Sequence, residues 1–179
     1  MSKAMGDDAF ETIVADHHAE IHRYIARVTA RASEADDLSQ ETFLRAYRAY
    51  RALAPGANVR AWLFAIATNL CKNHFRAEGR RRRAHATVKL AGPRIEHDGP
   101  DGEAVFAEAS ARIDGIVTTL PLRQRLAFTM RKIHDLDYGA IGQSLGCSPD
   151  SARAHVFQAL KKIRRGLDAL AIPHTEPER

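Results

Sequence analysis

Cysteine is scarce in this chain: two among 179 residues, Cys71 and Cys147. Two thiols build no disulfide framework, and without matching partners they build no zinc site. Buried packing is their default role, with redox sensing the minor alternative. Long apolar runs are missing too. None approaches the length that spans a bilayer, and the first dozen residues carry acids (Asp7, Asp8, Glu11) where a targeting peptide would be basic. Membrane insertion is therefore not expected, and a cytoplasmic location is. No Ser-His-Asp arrangement, P-loop or Gly-x-Gly-x-x-Gly string occurs, so an enzyme reading has little support and no cofactor is expected. No segment alternates apolar and polar residues as a half-buried strand does.

What is present is helical periodicity. Residues 9–31 carry Phe10, Ile13, Val14, Ile21, Ile25 and Val28 on one loose stripe. Residues 34–53 place Phe43, Ala46, Tyr47 and Tyr50 at i, i+3, i+4, i+7, which predicts one buried helix face. Pro55 and Gly56 interrupt the chain. A third helix is expected from Asn58 to Arg83, with Leu63, Ile66, Ala67 and Leu70 at the same spacing. From residue 85 to residue 103 the periodicity vanishes and Gly92-Pro93 and Gly99-Pro100 appear. So long a stretch without pattern separates domains rather than sitting inside one. Ile113, Ile116, Val117 and Leu120 then open a new helix, and Pro121 starts another containing Leu126, Met130 and Ile133.

The last third is the most specific. Tyr138, Ile141 and Leu145 mark a short helix ending at Gly146, a residue suited to a C-cap. Ser148 can cap the next helix, with Pro149 at its first position and Asp150 near its positive end. That helix is expected to bury Ala152, Val156, Leu160 and Ile163 and to expose Arg153, His155, Gln158, Lys161, Lys162, Arg164 and Arg165. Two helices, a tight turn and a basic second helix make a helix-turn-helix, which places its second helix in the DNA major groove. The fold expected is all-α: two small helical domains joined by a flexible linker, the C-terminal one containing the helix-turn-helix.

Charge is segregated along the chain. Lys72, Arg76 and Arg80 to Arg83 stand against one acid, Glu78; Lys161 to Arg165 form a second basic cluster; Glu96, Asp98, Asp101 and Glu103 lie between. Two basic clusters on a tether suggest two contacts on one nucleic acid. Glu34, Asp36, Asp37 and Glu41 gather at the start of the second helix. On charge alone, acids complementing the helix dipole are the weightier explanation.

These strings, in this order, resemble a bacterial RNA polymerase sigma factor of the extracytoplasmic-function class (group IV of the sigma-70 family). Asp36-Asp37-Leu38-Ser39-Gln40-Glu41-Thr42-Phe43 is similar to the family's core-polymerase-binding helix. Asn58-Val59-Arg60-Ala61-Trp62-Leu63, running into the arginines, is similar to its segment that opens the promoter and reads the −10 element. Leu120-Pro121-Leu122-Arg123-Gln124-Arg125 and the helix-turn-helix resemble its −35-reading domain. The resemblance implies a region-2-like domain over 1–84, a linker over 85–103, a region-4-like domain over 104–170 and a tail over 171–179. It implies core RNA polymerase and promoter DNA as partners and makes an anti-sigma protein an expected one.

It also assigns residues. Asp36, Asp37, Gln40 and Glu41 would bind core polymerase, where exposed acids steer association with a basic partner. Asn69, Lys72, Asn73, Arg76, Arg80 and Arg81 would bind the −10 DNA, with His74 on the same stretch; an asparagine amide offers both donor and acceptor to a base edge, and the arginines grip phosphate. Ser148, Ser151, Arg153, His155, Gln158 and Lys161 would bind the −35 DNA, Arg153 and Gln158 through bidentate contacts to guanine and adenine. Many relatives carry Arg-Ser-Arg where this chain has Arg153-Ala154-His155, and a cation where Gln158 sits, so the family's common −35 sequence is not assumed. Phe43, Tyr47 and Trp62 are expected in the core. His17, His18 and His22 cluster, but His18-Ala19-Glu20-Ile21-His22 matches no metal motif, and no metal is expected. The rival reading is a stand-alone dimeric helix-turn-helix regulator, which explains residues 104–170 and leaves the acidic helix unexplained.

Overall fold

The computed structural model describes the backbone over residues 2–84 and 104–171, and side chains over 9–84 and 110–169. Among the described residues the structure is helical, with no strand. The helices are α1 (Ser2–Thr29), α2 (Ala32–Ala49), α3 (Val59–Ala84), α4 (Ala104–Thr119), α5 (Leu122–Phe128), α6 (Tyr138–Leu145) and α7 (Pro149–Ala171). A single 3-10 turn, Tyr50–Ala52, follows α2, and a π turn, Thr129–Ile133, follows α5. The expected linker lies outside the described residues. No described helix is long and apolar enough to cross a membrane.

Each boundary has a local cause. Helix α1 begins before the expected residue 9 and stops where Ala30 takes a left-handed backbone (φ +59°), its N–H reaching the Ala26 carbonyl at 2.8 Å. The side chain of Asp137 caps α6 by accepting from the Ala140 N–H at 2.9 Å. Gly146 closes α6 in the left-handed region (φ +67°), where a side chain would be strained. Ser148 Oγ then accepts from the Ser151 N–H at 3.1 Å and caps α7. Gly142 makes the turn possible: a Cβ there would sit 2.7 Å from the Cys147 carbonyl oxygen.

The hydrophobic clusters do not divide as two separate domains would. The larger cluster is continuous from Tyr24, Leu63, Phe64, Ala67 and Cys71 of the N-terminal half to Leu126, Met130, Leu136, Ile141 and Leu145 of the C-terminal half. A smaller cluster, Val117, Leu120, Phe128, Ala159 and Ile163, lies under α7. Helix α6 packs on α3, so the two halves are docked. Docking gives each small half apolar cover that its own few helices do not supply.

Three expected core positions are corrected. On α7, Ala159 is buried and Leu160 is 39% exposed, because the helix turns its 152–156–159–163 stripe inward, Ala152 and Val156 into the larger cluster and Ala159 and Ile163 into the smaller. Tyr47 is 44% exposed, held edge-on against Phe10 with ring centroids 5.2 Å apart. Ile133 is 45% exposed, because the π turn rotates it away from the face that buries Met130. Trp62 and Ile66 are half-buried against the larger cluster, and Phe43 is buried within it.

Candidate nucleic-acid interface

The acidic residues of α2 border a groove between α1 and α2. Phe10, Val14, Phe43, Leu44 and Tyr47 form its apolar part; Asp36, Asp37 and Gln40 stand along its edge, and the groove measures about 970 Å³. Asp36, Asp37 and Gln40 are exposed, and Leu44 is 46% exposed. Glu41 is partly covered and paired with Arg45 at 2.6 Å. Asp36 Oδ1 accepts from His22 Nε2–H at 2.8 Å. The histidine pair singled out in the sequence is thus split in role: His18 stacks on His22 at 6.2 Å and lies tilted against Phe43 at 5.5 Å, while His22 reaches α2. An acidic rim with aromatic and aliphatic anchors beneath it suits a basic partner helix, an arrangement that composition alone does not reveal.

On α3, one face is core and the other carries the predicted −10 residues. Asn69, Asn73, Arg76, Arg80 and Arg81 are exposed; the first four are spaced three or four residues apart and so lie near one side of the helix. Asn69 Oδ1 accepts from Lys72 and Asn73 Oδ1 from Arg76, both at 3.4 Å. Lys72 is half-buried; burial comes first among the causes that pull its ammonium below the usual range, and Arg123 and Arg76 add repulsion. Arg123 belongs to the C-terminal half, so the docked arrangement brings cations from both halves together. His74 faces inward instead, 3.1 Å from Glu34 and 4.0 Å from Glu78, and is a structural residue here. The ligand atoms of Glu34, His74 and Glu78 lie within 4.8 Å of one another. Arg31, however, binds both carboxylates (2.6 and 3.2 Å), and Arg82 binds Glu78 at 3.0 Å.

On α7 the predicted −35 residues share the outer surface. Ser148, Ser151, Arg153, Gln158 and Lys161 are exposed. Ser148 and Ser151 are also tied to each other, Oγ to Oγ at 3.0 Å, so their hydroxyls serve the cap first. Arg153 lies over the Tyr138 ring at 5.1 Å and 3.4 Å from Asp150. His155 is half-buried; burial, then Arg123, holds its imidazole below the ordinary range. Sequence reasoning missed Phe157. It is 65% exposed between Arg153 and Lys161, and the signal was present: an aromatic one position off the buried stripe at Val156.

Burial also pushes the Cys71 thiol up to about 12, while Cys147 is half-exposed in the helix-turn-helix turn.

Comparison with known proteins follows the same division. Sigma-70 region 2 matches residues 13–81, and Sigma-70, region 4 matches residues 110–163. Over 169 residues the chain is 30% identical to the RNA polymerase sigma-H factor of Pseudomonas aeruginosa, covering 90% of this chain and 88% of that one. It is 25% identical over 162 residues to the ECF RNA polymerase sigma-E factor of Escherichia coli, covering 87% and 84%. Its fold is similar to that of the sigma factor RpoE solved with the anti-sigma factor NepR from Bartonella quintana, with a TM-score of 0.76 at 19% identity over 89% of this chain and 97% of that one. CnrH, solved with the cytosolic domain of CnrY, gives a TM-score of 0.67 at 21% identity over 91% and 90%.

Proposed function

This chain belongs to the sigma-70 family, in its extracytoplasmic-function class, and from that premise we propose that it recruits core RNA polymerase to specific promoters by dividing the work between two faces. The observation that carries this reading is the presence of both sigma regions, in order, on one chain that follows a sigma factor over nine-tenths of its length. A dimeric regulator would account for residues 110–163 alone.

In this reading residues 1–84 hold core polymerase and the −10 element, 85–103 connect, and 104–170 hold the −35 element. Asp36, Asp37, Gln40 and Glu41 meet a basic helix of the polymerase, with Leu44 and Tyr47 as apolar anchors at the centre of the contact. Asn69, Asn73, Lys72 and Arg76 capture unstacked bases of the −10 strand, and Arg80 and Arg81 grip its phosphates. Arg153, His155, Gln158 and Lys161 read or clamp the −35 major groove from α7, and Ser148 and Ser151 approach it at the cap. Phe157 adds an apolar contact of the kind that recognises a thymine methyl group. Binding of a base flipped out of the duplex shifts the closed-to-open promoter equilibrium; no bond is made or broken by this chain. The work is done in the cytoplasm, and an anti-sigma protein of the kind bound to the two structural neighbours is the proposed inhibitor.

The test is in vitro transcription by core polymerase on a pool of promoter fragments, with this protein as the sole sigma. Promoter-specific transcripts that depend on it are expected, and Asp37→Arg should abolish them while leaving helicity unchanged. Specific operator binding by the protein alone, without transcripts, would favour the dimeric regulator.

A further inference from the structure

The two halves meet around one histidine. The π turn Thr129–Ile133 delivers His134 into the N-terminal half, where it is 6% exposed. Its ring lies between Tyr24, edge-on at 5.7 Å, and Phe64 at 5.1 Å. Its Nδ1 is 3.1 Å from Glu20 Oε1, and its backbone carbonyl accepts from Arg60 Nη2. Arg60 also holds Glu20, Nε to Oε2 at 2.9 Å. The other ring nitrogen, Nε2, is buried with no hydrogen-bond partner among the described residues. A π turn inside a helical segment is uncommon and gathers at functional positions; here it sets the side chain that crosses between halves.

The surroundings accept a neutral imidazole and resist a charged one. An imidazolium would carry a second N–H, at Nε2, with no acceptor, and a buried donor left without a partner is costly. From α1 it faces Glu20, Arg23 and Tyr24; from α3 it faces Arg60. Glu20 is the one carboxylate among them, and Arg60 already shares it. Tyr24 is held neutral by burial. Asp135, next in the chain, is directed to Arg131 at 2.5 Å. Burial comes first and keeps the His134 imidazole below its ordinary range, although the Glu20 bond pulls the other way.

Closure matters because of distance. The −10 and −35 elements lie about 25 base pairs apart, or ~85 Å of duplex. A compact chain of this length is roughly 40 Å across. The docked halves therefore cannot engage both elements at once. We propose that His134 is the pin of an acid-sensitive latch: neutral, it holds the two halves closed and the chain unable to span a promoter; protonated, it releases them. This rests on the reading of the halves as −10 and −35 binders. The sign follows from linkage. The closed state binds the proton less readily than the open state, where His134 regains water and its usual pKa of about 6.5. Closure is thus fully favoured above that value and weakens as pH falls below it, the open-to-closed ratio rising at most about tenfold per pH unit for one proton.

The test is small-angle scattering of the full chain from pH 8 to 5.5, for the native protein, His134→Phe and His134→Gln, with circular dichroism at each pH. Phenylalanine keeps the ring contacts, and glutamine keeps a donor for Glu20; neither titrates. A radius of gyration that grows below about pH 6.5 in the native protein at constant helicity, and stays flat in whichever variant folds, is the expected result. A native protein compact throughout overturns the latch. Equal expansion of native protein and variant also overturns it, because the opening then owes nothing to the His134 imidazole. None of these outcomes requires polymerase, so failure here is separable from failure of the transcription assay.

Discussion

Phe157 is 65% exposed in the middle of the outer face of α7. An aromatic so placed contributes little to stability, and its value must lie in what it meets. Phe157→Ala is expected to shift the urea midpoint by no more than about 0.5 kcal/mol equivalent. The same change should lower promoter-specific initiation several-fold, a loss restricted to promoters with thymine in the −35 element; equal loss at all promoters would assign the residue a different role. The thiols diverge in the same way. Cys71 is buried with its pKa raised to about 12, and Cys147 is half-exposed. Ellman's reagent on the native protein at pH 8 should titrate Cys147 promptly and Cys71 only after denaturation. Burial of single residues was partly legible. The sequence offers α7 two adjacent apolar stripes, one through Val156, Ala159 and Ile163 and one through Phe157 and Leu160. Spacing alone does not choose between them. Contact with Val117, Leu120 and Phe128 does, and those residues are distant in sequence.

At the level of the element, the helix-turn-helix depends on one close approach. A Cβ at Gly142 would meet the Cys147 carbonyl oxygen at 2.7 Å, with Ser148 and Pro149 backbone atoms at 3.2 and 3.3 Å behind it. Backbone cannot swing aside as a side-chain tip can. Gly142→Ala should therefore cost about 1–3 kcal/mol in urea unfolding and reduce −35 binding by misaiming α7. Gly146→Ala, strained only by its φ of +67°, should cost about 1 kcal/mol. If the two variants prove equal, the crowding at Gly142 is relieved by a movement of the turn. The turn itself was legible because Gly146, Ser148 and Pro149 each act locally: a left-handed cap, a side-chain cap and a preset φ. The role of Gly142 was not, since the atom it must avoid lies beyond the end of its own helix. The end of α3 yields a second element-scale prediction. Arg80, Arg81 and Arg83 are exposed, and Arg82 is tied to Glu78. Replacing all four with alanine should lower the slope of log K against log salt by as much as about three, the fourth arginine being engaged already. An unchanged slope would make them bystanders.

For the whole molecule, the question is whether the halves behave as one body or two. The sequence predicts two helical domains; it says nothing of their docking, because Met130, Leu136 and Leu145 look like ordinary core positions of the C-terminal half. In the structure they join Tyr24, Leu63, Phe64 and Cys71 in one continuous cluster. Arg27 and Asp114 add a two-pronged ion pair across the boundary at 3.1 Å, and Arg125 donates to the Val28 carbonyl at 2.8 Å while lying over Phe75. A cluster shared in this way couples the two unfolding reactions. At pH 8, fluorescence of Trp62, the lone tryptophan and a residue of the N-terminal half, should lose its folded signal at the same urea concentration as far-UV ellipticity, which reports both halves. Met130→Ala sharpens the test. Met130 is fully buried and contributes its sulfur to Thr68 at 3.8 Å in α3. Its truncation should cost about 2–5 kcal/mol. If the halves are coupled, the Trp62 transition moves down although the change lies in the other half. If they are independent, ellipticity splits into two steps and Trp62 stays where it was. The first outcome would mean that separating the halves to span a promoter breaks a core, so protonation of His134, at about 1.4 kcal/mol per pH unit, lowers the cost of that step and polymerase and DNA contacts supply the rest.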